Sequence, residues 1–281
     1  MSWHGTLSLR YRLDGERTTA HDRHDGPLRV LQRLYPEGDA ICHHVLVHPP
    51  GGIAGGDVLV MDAHLASGSH ALVTTPGATR FYKSAGPSAE QRLHARLDDG
   101  ARLEWLPLET IAYPGCVAHN HLQFDLAPQA QMMGWDVVAL GLPAAQQPFN
   151  HPDFAHGSYT QSLTLPGVWL ERGTVAATDH DLLDSPLGWA GKRVLGTMWM
   201  AAGSDWAPAL RERLLDGARA EMAGSALAHL SGATSPHAQV VVLRALADRV
   251  EPLMQLFMGV RAAWREACWG LGGEPPRIWR M

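Results

Sequence analysis

Residues 57–75 read DVLVMDAHLASGSHALVTT, and this stretch sets the fold class. Asp57–Leu65 alternates apolar and polar side chains, with Val58, Val60, then Ala63 and Leu65 as its apolar positions, the period of two of a half-buried strand. Ser67-Gly68 interrupts it, and Ala71–Thr75 resumes as a second short strand.

The same rhythm extends both ways. Upstream, Thr6–Tyr11 alternates and Asp14-Gly15 supplies a hairpin-type turn, while Ala40–His48 is a strand ended by Pro49-Pro50. Downstream, Gln91–Leu97 and Ala101–Leu106 flank Asp98-Asp99-Gly100, a further hairpin signal. Leu122–Leu126, Asp136–Leu140, Ser158–Leu165 and Val168–Arg172 continue the series. Strands this short, with no helical pattern between them, argue for antiparallel sheets rather than βαβ units. The last third changes period. Pro208–Leu230 carries Leu210, Leu214, Leu215, Ala218 and Met222 at helical spacing and is ended by Gly232 and Pro236. Gln239–Ala247 reads as a returning strand, and Arg249–Trp269 as a second helix with Leu253, Leu256, Phe257, Val260 and Trp264 on one face.

Composition limits the function classes. With 281 residues, 46% hydrophobic and 18% charged, the chain can build a sizeable core and is not a disordered segment. The 29 Gly and 19 Pro favour a turn-rich β protein. Net charge is −5 and no block of Lys and Arg occurs, which argues against nucleic-acid or membrane-surface partners. The opening MSWHGTLSLRYRL has no basic-then-apolar leader, and no run reaches the roughly 18 apolar residues of a membrane span, so a cytoplasmic location is expected. Cys42, Cys116 and Cys268 are odd in number and scattered, fitting buried thiols rather than a disulfide framework or a zinc site.

Three stretches carry the functional signal. His48–Asp57, HPPGGIAGGD, packs two Pro and four Gly into ten residues, which specifies a shaped loop. It matches neither GxxxxGK[ST] nor GxGxxG, and a strand follows it, so a loop that packs against another chain is favoured over a phosphate site. Thr74–Ser84, TTPGATRFYKS, sets Arg80 and Lys83 beside Phe81 and Tyr82, residue types that favour protein–protein contact. Leu103–Tyr113, LEWLPLETIAY, reads as strand, proline break and strand, with Glu104 and Glu109 exposed or lining a groove. No nucleophile, base or oxyanion loop accompanies these acids, so no enzyme constellation is legible. Sixteen His invite a metal hypothesis, and His119 and His121 would share one face of a strand. A β-rich, metal-dependent hydrolase using that pair is the alternative reading.

In this order the three stretches resemble the UreD (also called UreH) family of urease accessory proteins. The opening SWHGTLSLRYRLDGERT, then GPLRVLQRLYPEG, GLPAAQQPF and the later WLER resemble it too, with looser agreement toward the final PPRIWRM. The resemblance implies a mainly β fold of stacked antiparallel or mixed sheets, β-helix-like, with a two-helix element near the C-terminus. It implies one domain over residues 1–281, its helical element at about 206–270. It also implies a non-enzymatic scaffold that binds urease apoprotein and UreF, and through UreF the GTPase UreG. That assembly lets carbon dioxide carbamylate the urease lysine and lets nickel reach the site through an internal passage. No tightly bound cofactor is implied, only transient nickel. By motif match, Asp57, Glu109 and Glu171 are expected near the passage, and Arg80, Tyr82 and Lys83 at a partner. The chain departs from the family pattern at Leu108, where LPQE has an amide. At Leu142 and Gln147 it lacks the Arg and Glu of GRxxxGE, so a nickel-handling role attached to that glutamate does not carry over.

Overall fold

The computed structural model describes residues 2–280. β1 (His4–Asp14) turns at Gly15 into β2 (Arg17–Asp25), and β3 (Arg29–Leu34) pairs antiparallel with β4 (Ile41–Val47). The chain then winds through β5 (Val58–Leu65), β6 (His70–Thr74), β7 (Thr79–Phe81) and β8 (Ala89–Leu97). The winding continues through β9 (Arg102–Trp105), β10 (Thr110–Ala112), β11 (Val117–Leu126) and β12 (Gln131–Leu142). A short β13 (Gln147–Pro148), then β14 (Ser158–Leu165), β15 (Trp169–Ala176) and the short helix α1 (His180–Asp184) follow. The remainder comprises β16 (Val194–Ala202), α2 (Pro208–Ala223), β17 (Ser231–His237), β18 (Val240–Ala247) and α3 (Val250–Trp269).

The strands form two stacked sheets. The first has the order β15-β14-β11-β8-β5-β1-β2; the second runs β17-β18-β16-β12-β9-β6-β4-β3, with β7, β10 and β13 joined to its side. Between β4 and β14 the chain passes back and forth between the sheets, so successive strands of one sheet are entered from the same end. Hence β1, β5, β8, β11 and β14 pair parallel, as do β4, β6, β9 and β12. Antiparallel pairing is left to β1–β2, β14–β15, β3–β4, β12–β13 and the β12–β16–β18–β17 series. The stack is therefore mixed and solenoid-like, and antiparallel only in part.

Two local expectations change for the same reason. Asp98-Asp99-Gly100 is a corner rather than a hairpin turn, because β8 and β9 belong to different sheets. Gly68 and Gly100 occupy successive corners, each with φ of +73°, and Gly68 N–H donates to the Asp99 carbonyl at 3.2 Å. Any L side chain there would have to hold a left-handed conformation. In β5 it is Leu59, Met61, Ala63 and Leu65 that point inward, leaving Val58 and Val60 half-buried outside. Both faces begin with aliphatic residues, so the pattern alone cannot choose, and parallel pairing with β1 and β8 sets the register.

The first sheet is covered on one face only, and its strands alternate; β11, for example, turns Ala118, Asn120, Leu122 and Phe124 inward. The second sheet is covered on both. One face meets the first sheet through Ala71, Val73, Leu103 and Met132. The other meets α2 and α3 through Leu72, Met133, Trp135, Leu214, Leu253, Phe257 and Trp264. This explains why β6 is buried at every position and carries Ala71, Leu72 and Val73 in succession.

The helical element differs in detail from its pattern. α2 ends at Ala223, where Gly224 follows, and Ser231–His237 forms the edge strand β17 instead of a helix terminus. Pro236 is tolerated because the pairing of β17 with β18 is irregular between Thr234 and His237. α3 stops at Gly270, which holds φ of 62°. Its buried face carries Arg261 and Arg265 as well as apolar residues. Among the described residues, no helix is long and apolar enough to cross a membrane.

Candidate functional site

The three stretches that stand out in the sequence meet at one end of the sandwich. Ile53 N–H donates to the Arg80 carbonyl at 2.7 Å and Tyr82 N–H to the Ile53 carbonyl at 2.9 Å, while β7 pairs with β10. A Cβ on Gly52 would run into the Tyr82 ring, and one on Gly55 into Ser84 and the Pro87 carbonyl, so these glycines permit the close approach of the two loops. Together they enclose a cavity of about 300 Å³. His48–Pro49, Gly51–Ile53 and Thr75–Arg80 form much of its wall, and Gln91, Trp105 and Pro107 also line it.

From this cavity a band of polar side chains runs into an otherwise apolar interior. On the first sheet Gln91, Asn120 and Gln161 lie side by side on β8, β11 and β14. On the second sheet Asp136, Thr197 and Arg244 lie side by side on β12, β16 and β18. The two rows are bonded to each other. Gln91 Nε2 donates to Asn120 Oδ1 at 3.2 Å, Asn120 Nδ2 donates to Asp136 Oδ1 at 3.0 Å, and Gln161 Nε2 donates to Asp136 Oδ2. At the far end Thr197 Oγ1 donates to Glu171 Oε1 at 3.5 Å, and Arg244 holds both oxygens of the same carboxylate.

Asp136 is the electrostatic centre of the band. Burial pushes its carboxyl up to about 7, the Asn120 hydrogen bond opposing and the Glu171 charge adding to the rise. The Tyr159 hydroxyl and the Trp105 indole N–H are buried without hydrogen-bond partners. Burial, reinforced by the nearby Asp136 charge, also raises the Tyr159 phenol well above its ordinary range. Apart from the Arg244 guanidinium, which is taken up by Glu171, the rows present amide, hydroxyl and carboxylate groups, with no imidazole or thiolate.

The residues expected from sequence fall at distinct places. Glu171 closes the far end of the band. Asp57 is buried, its two oxygens accepting from Trp3 N–H at 2.7 Å and Ala54 N–H at 2.9 Å; it shapes the glycine loop and its charge acts on His48 in the cavity wall. Glu109 is half-buried beside the cavity, and its backbone carbonyl accepts from Thr79 N–H at 2.9 Å. Tyr82 packs edge-on to Tyr113 with ring centroids 5.1 Å apart, and Lys83 Nζ sits 4.5 Å from the centroid of the Phe154 ring. Arg80 is exposed, and its guanidinium makes no hydrogen bond or ion pair among the described residues. Glu104 is buried under α3 rather than exposed or in a groove.

His119 and His121 stand on the outer face of the first sheet, their rings 5.9 Å apart, so they point away from Asn120 between them. Among the described residues, no three His, Cys, Asp or Glu converge as a metal site. Asn120, Asp136 and Gln161 escaped the sequence reading. The signal was there for Asp136, an acid flanked by Trp135 and Val137 in a long apolar strand.

The comparisons with known proteins agree with the motifs. The family model described as UreD urease accessory protein matches residues 4–280. This chain belongs to the UreD urease accessory protein family. The urease accessory protein UreD of Leptothrix cholodnii is 62% identical over 282 residues, covering 100% of both chains. That of Variovorax paradoxus is 56% identical over 279 residues, covering 99% of each, and that of a Polaromonas species 53% identical over 281 residues, covering 100% of each. UreD membership gives the departures a structural setting. Leu108 is half-buried and packs against the core beneath the helices, where an amide would have to be desolvated. Gln147 is exposed in the marginal strand β13, and Gln146, at the glycine position of GRxxxGE, holds φ of 58°.

Proposed function

We propose that this chain is a scaffold for urease maturation that also gives nickel a route through its interior. In this reading it docks on urease apoprotein and on UreF, which brings UreG, and it performs no turnover of its own. The ion is cargo, held in transit along the Gln91–Asn120–Asp136–Gln161 band toward Glu171. The observation that carries this reading is the pair of polar rows that meet in the sandwich at Asn120, Asp136 and Thr197, three buried polar side chains that would each cost stability without a partner. Conduction requires sites strong enough to admit an ion and weak enough to release it, which oxygen donors without imidazole or thiolate supply. Asp57 and Glu109 support the cavity end, and Glu171 the opposite one. Arg80, Tyr82 and Lys83 belong to the docking surface, which fits the cytoplasmic setting of a protein that meets other accessory proteins.

The test is co-expression of the tagged chain with the urease subunits, with and without UreF and UreG, followed by urease activity after nickel and bicarbonate. Wild-type protein is expected to co-purify with apoprotein and raise activity. Asp136→Asn is expected to co-purify equally and to lower activation about tenfold or more. Equal activation by that variant would remove the passage from the proposal, and failure of the wild type to bind either partner would remove the scaffold.

A further inference from the structure

The outer face of the first sheet carries several histidines, and they differ in what they meet. His64 is held by Asp98 at 3.1 Å and His94 by Asp125. His119 and His121 on β11 make no hydrogen bond or ion pair among the described residues. Their rings meet each other instead, with centroids 5.9 Å apart and planes at 87°. β11 is an interior strand, paired with β8 on one side and β14 on the other, so the backbone under both rings is fixed by two ladders. Beside His121 the surface dips into a cavity of about 420 Å³, lined also by Asp62, His94, Gln123, Ser162 and Thr164. The charges around the pair are few. Glu90 lies in register with His119 and Arg92 with His121, and these two are ion-paired with each other. The residues of β14 in register with the pair are Thr160 and Ser162, and Arg172 on β15 beyond them is exposed.

We propose that His119 and His121 form a two-imidazole chelate for a late first-row divalent cation, with water in its remaining positions. Residues two apart on a strand project from the same face, so both rings reach one point above the sheet. Imidazole suits copper, nickel and zinc, whereas calcium and magnesium take oxygen ligands. Two imidazoles sharing an ion at ~2.0–2.1 Å hold their centroids about 5 Å apart, so the pair closes by about 1 Å of side-chain rotation with the backbone still. Two protein ligands make an open, exchanging site rather than a closed cage, and the dip beside His121 gives its water room. The site is separate from the polar band. Asn120, between the two histidines, points the other way and bonds Asp136, so the backbone of β11 divides an outer ion from the interior row. The inference goes beyond the scaffold reading and does not rest on it.

The experiment titrates the full-length chain, carrying no polyhistidine tag and stripped of metal, with Cu²⁺, Ni²⁺ and Zn²⁺ in separate calorimetric runs. Wild type is compared with His119→Ala, His121→Ala, the double variant and Asp136→Asn. Wild type is expected to take up one equivalent that the double variant lacks, with Cu²⁺ bound most tightly. Each single variant should bind about tenfold more weakly or worse, since losing even a partner outside the coordination sphere costs about that much. Excess Mg²⁺ should not compete, and Asp136→Asn should match wild type. Electron paramagnetic resonance of the Cu²⁺-loaded chain should show two nitrogen ligands in wild type and one in each single variant. Metal-free melting temperatures should agree across the histidine set, because neither ring has a hydrogen-bond or ion-pair partner to lose, and added metal should raise that of wild type alone. A double variant that binds as tightly as wild type overturns the inference, as does a wild type with no bound equivalent. Loss of the equivalent in Asp136→Asn would place the ion in the interior and overturn it too.

Discussion

Arg261 on α3 donates from Nε to Glu104 Oε2 on β9 at 3.0 Å, across 157 residues of sequence, with both side chains buried. Around this pair, Arg265 binds both oxygens of Glu37 at 3.2 and 2.6 Å, His70 meets Glu104 at 3.2 Å and His43 meets Glu37 at 2.9 Å. Two acids and two guanidinium groups balance formally, and the network pins the C-terminal helix to the second sheet. Arg261 Nη1 also reaches the carbonyls of Gly273 and Glu274, each at 3.3 Å, tying down the segment after the helix.

Glu104→Ala should therefore be strongly destabilising. It leaves Arg261 without its carboxylate in a buried site, and breaking such a pair from one side costs about 3–5 kcal/mol. Urea unfolding would measure this, and a loss below ~1 kcal/mol would mean that water reaches the cluster.

The same network sets an acid limit. Burial alone would raise the Glu37 carboxyl, but the His43 hydrogen bond and the Arg265 ion pair outweigh it and hold the group at about 2. Its folded value lies below the ordinary 4.5, so its stabilisation is complete above pH 4.5 and is lost as pH falls toward 2. Glu37→Gln should flatten the melting temperature against pH in that window and lower it at neutral pH. A wild-type-shaped curve in the variant would contradict the assignment.

Asp136 acts in the opposite sense. Its folded value of about 7 lies above the ordinary 3.8, so the folded state holds this proton more tightly than the unfolded chain. Stability should decline from about pH 4 to about pH 7 on this group's account and then level off. Asp136→Asn should remove that decline, so its melting temperature gains on wild type as pH rises to 8. Parallel curves for the two proteins would show that Asp136 titrates normally. A variant that is as stable as wild type and yet defective in urease activation would separate function from folding.

Gln146 offers a stabilising change. A non-glycine residue at φ of 58° carries a left-handed conformation that costs about 1–2 kcal/mol, against about 0.5–1 kcal/mol for the added freedom of glycine in the unfolded chain. Gln146→Gly should thus raise stability by about 0.5–1 kcal/mol, read as a higher urea midpoint. No change would indicate that the Gln146 side chain makes compensating contacts.

The sequence by itself determined the class of the fold, because the period-two pattern of strands such as β11 and the helical spacing of Leu253, Phe257 and Val260 are local signals. It also marked the glycine loop at the cavity, since Gly51 and Gly56 hold positive φ and Gly52 and Gly55 leave no room for a Cβ. Tertiary structure decided the rest. Whether Asp98–Gly100 turns back within a sheet or rounds a corner depends on which strand receives the next segment, and that is a long-range pairing. Which side of the His119-Asn120-His121 run matters depends on which face another sheet covers, so the visible histidines lie outside and the unremarkable Asn120 lies within. The polar band exists only because strands distant in sequence are brought into register. Each of its members is an isolated polar residue on its own strand, and no local period could announce that six of them form two facing rows.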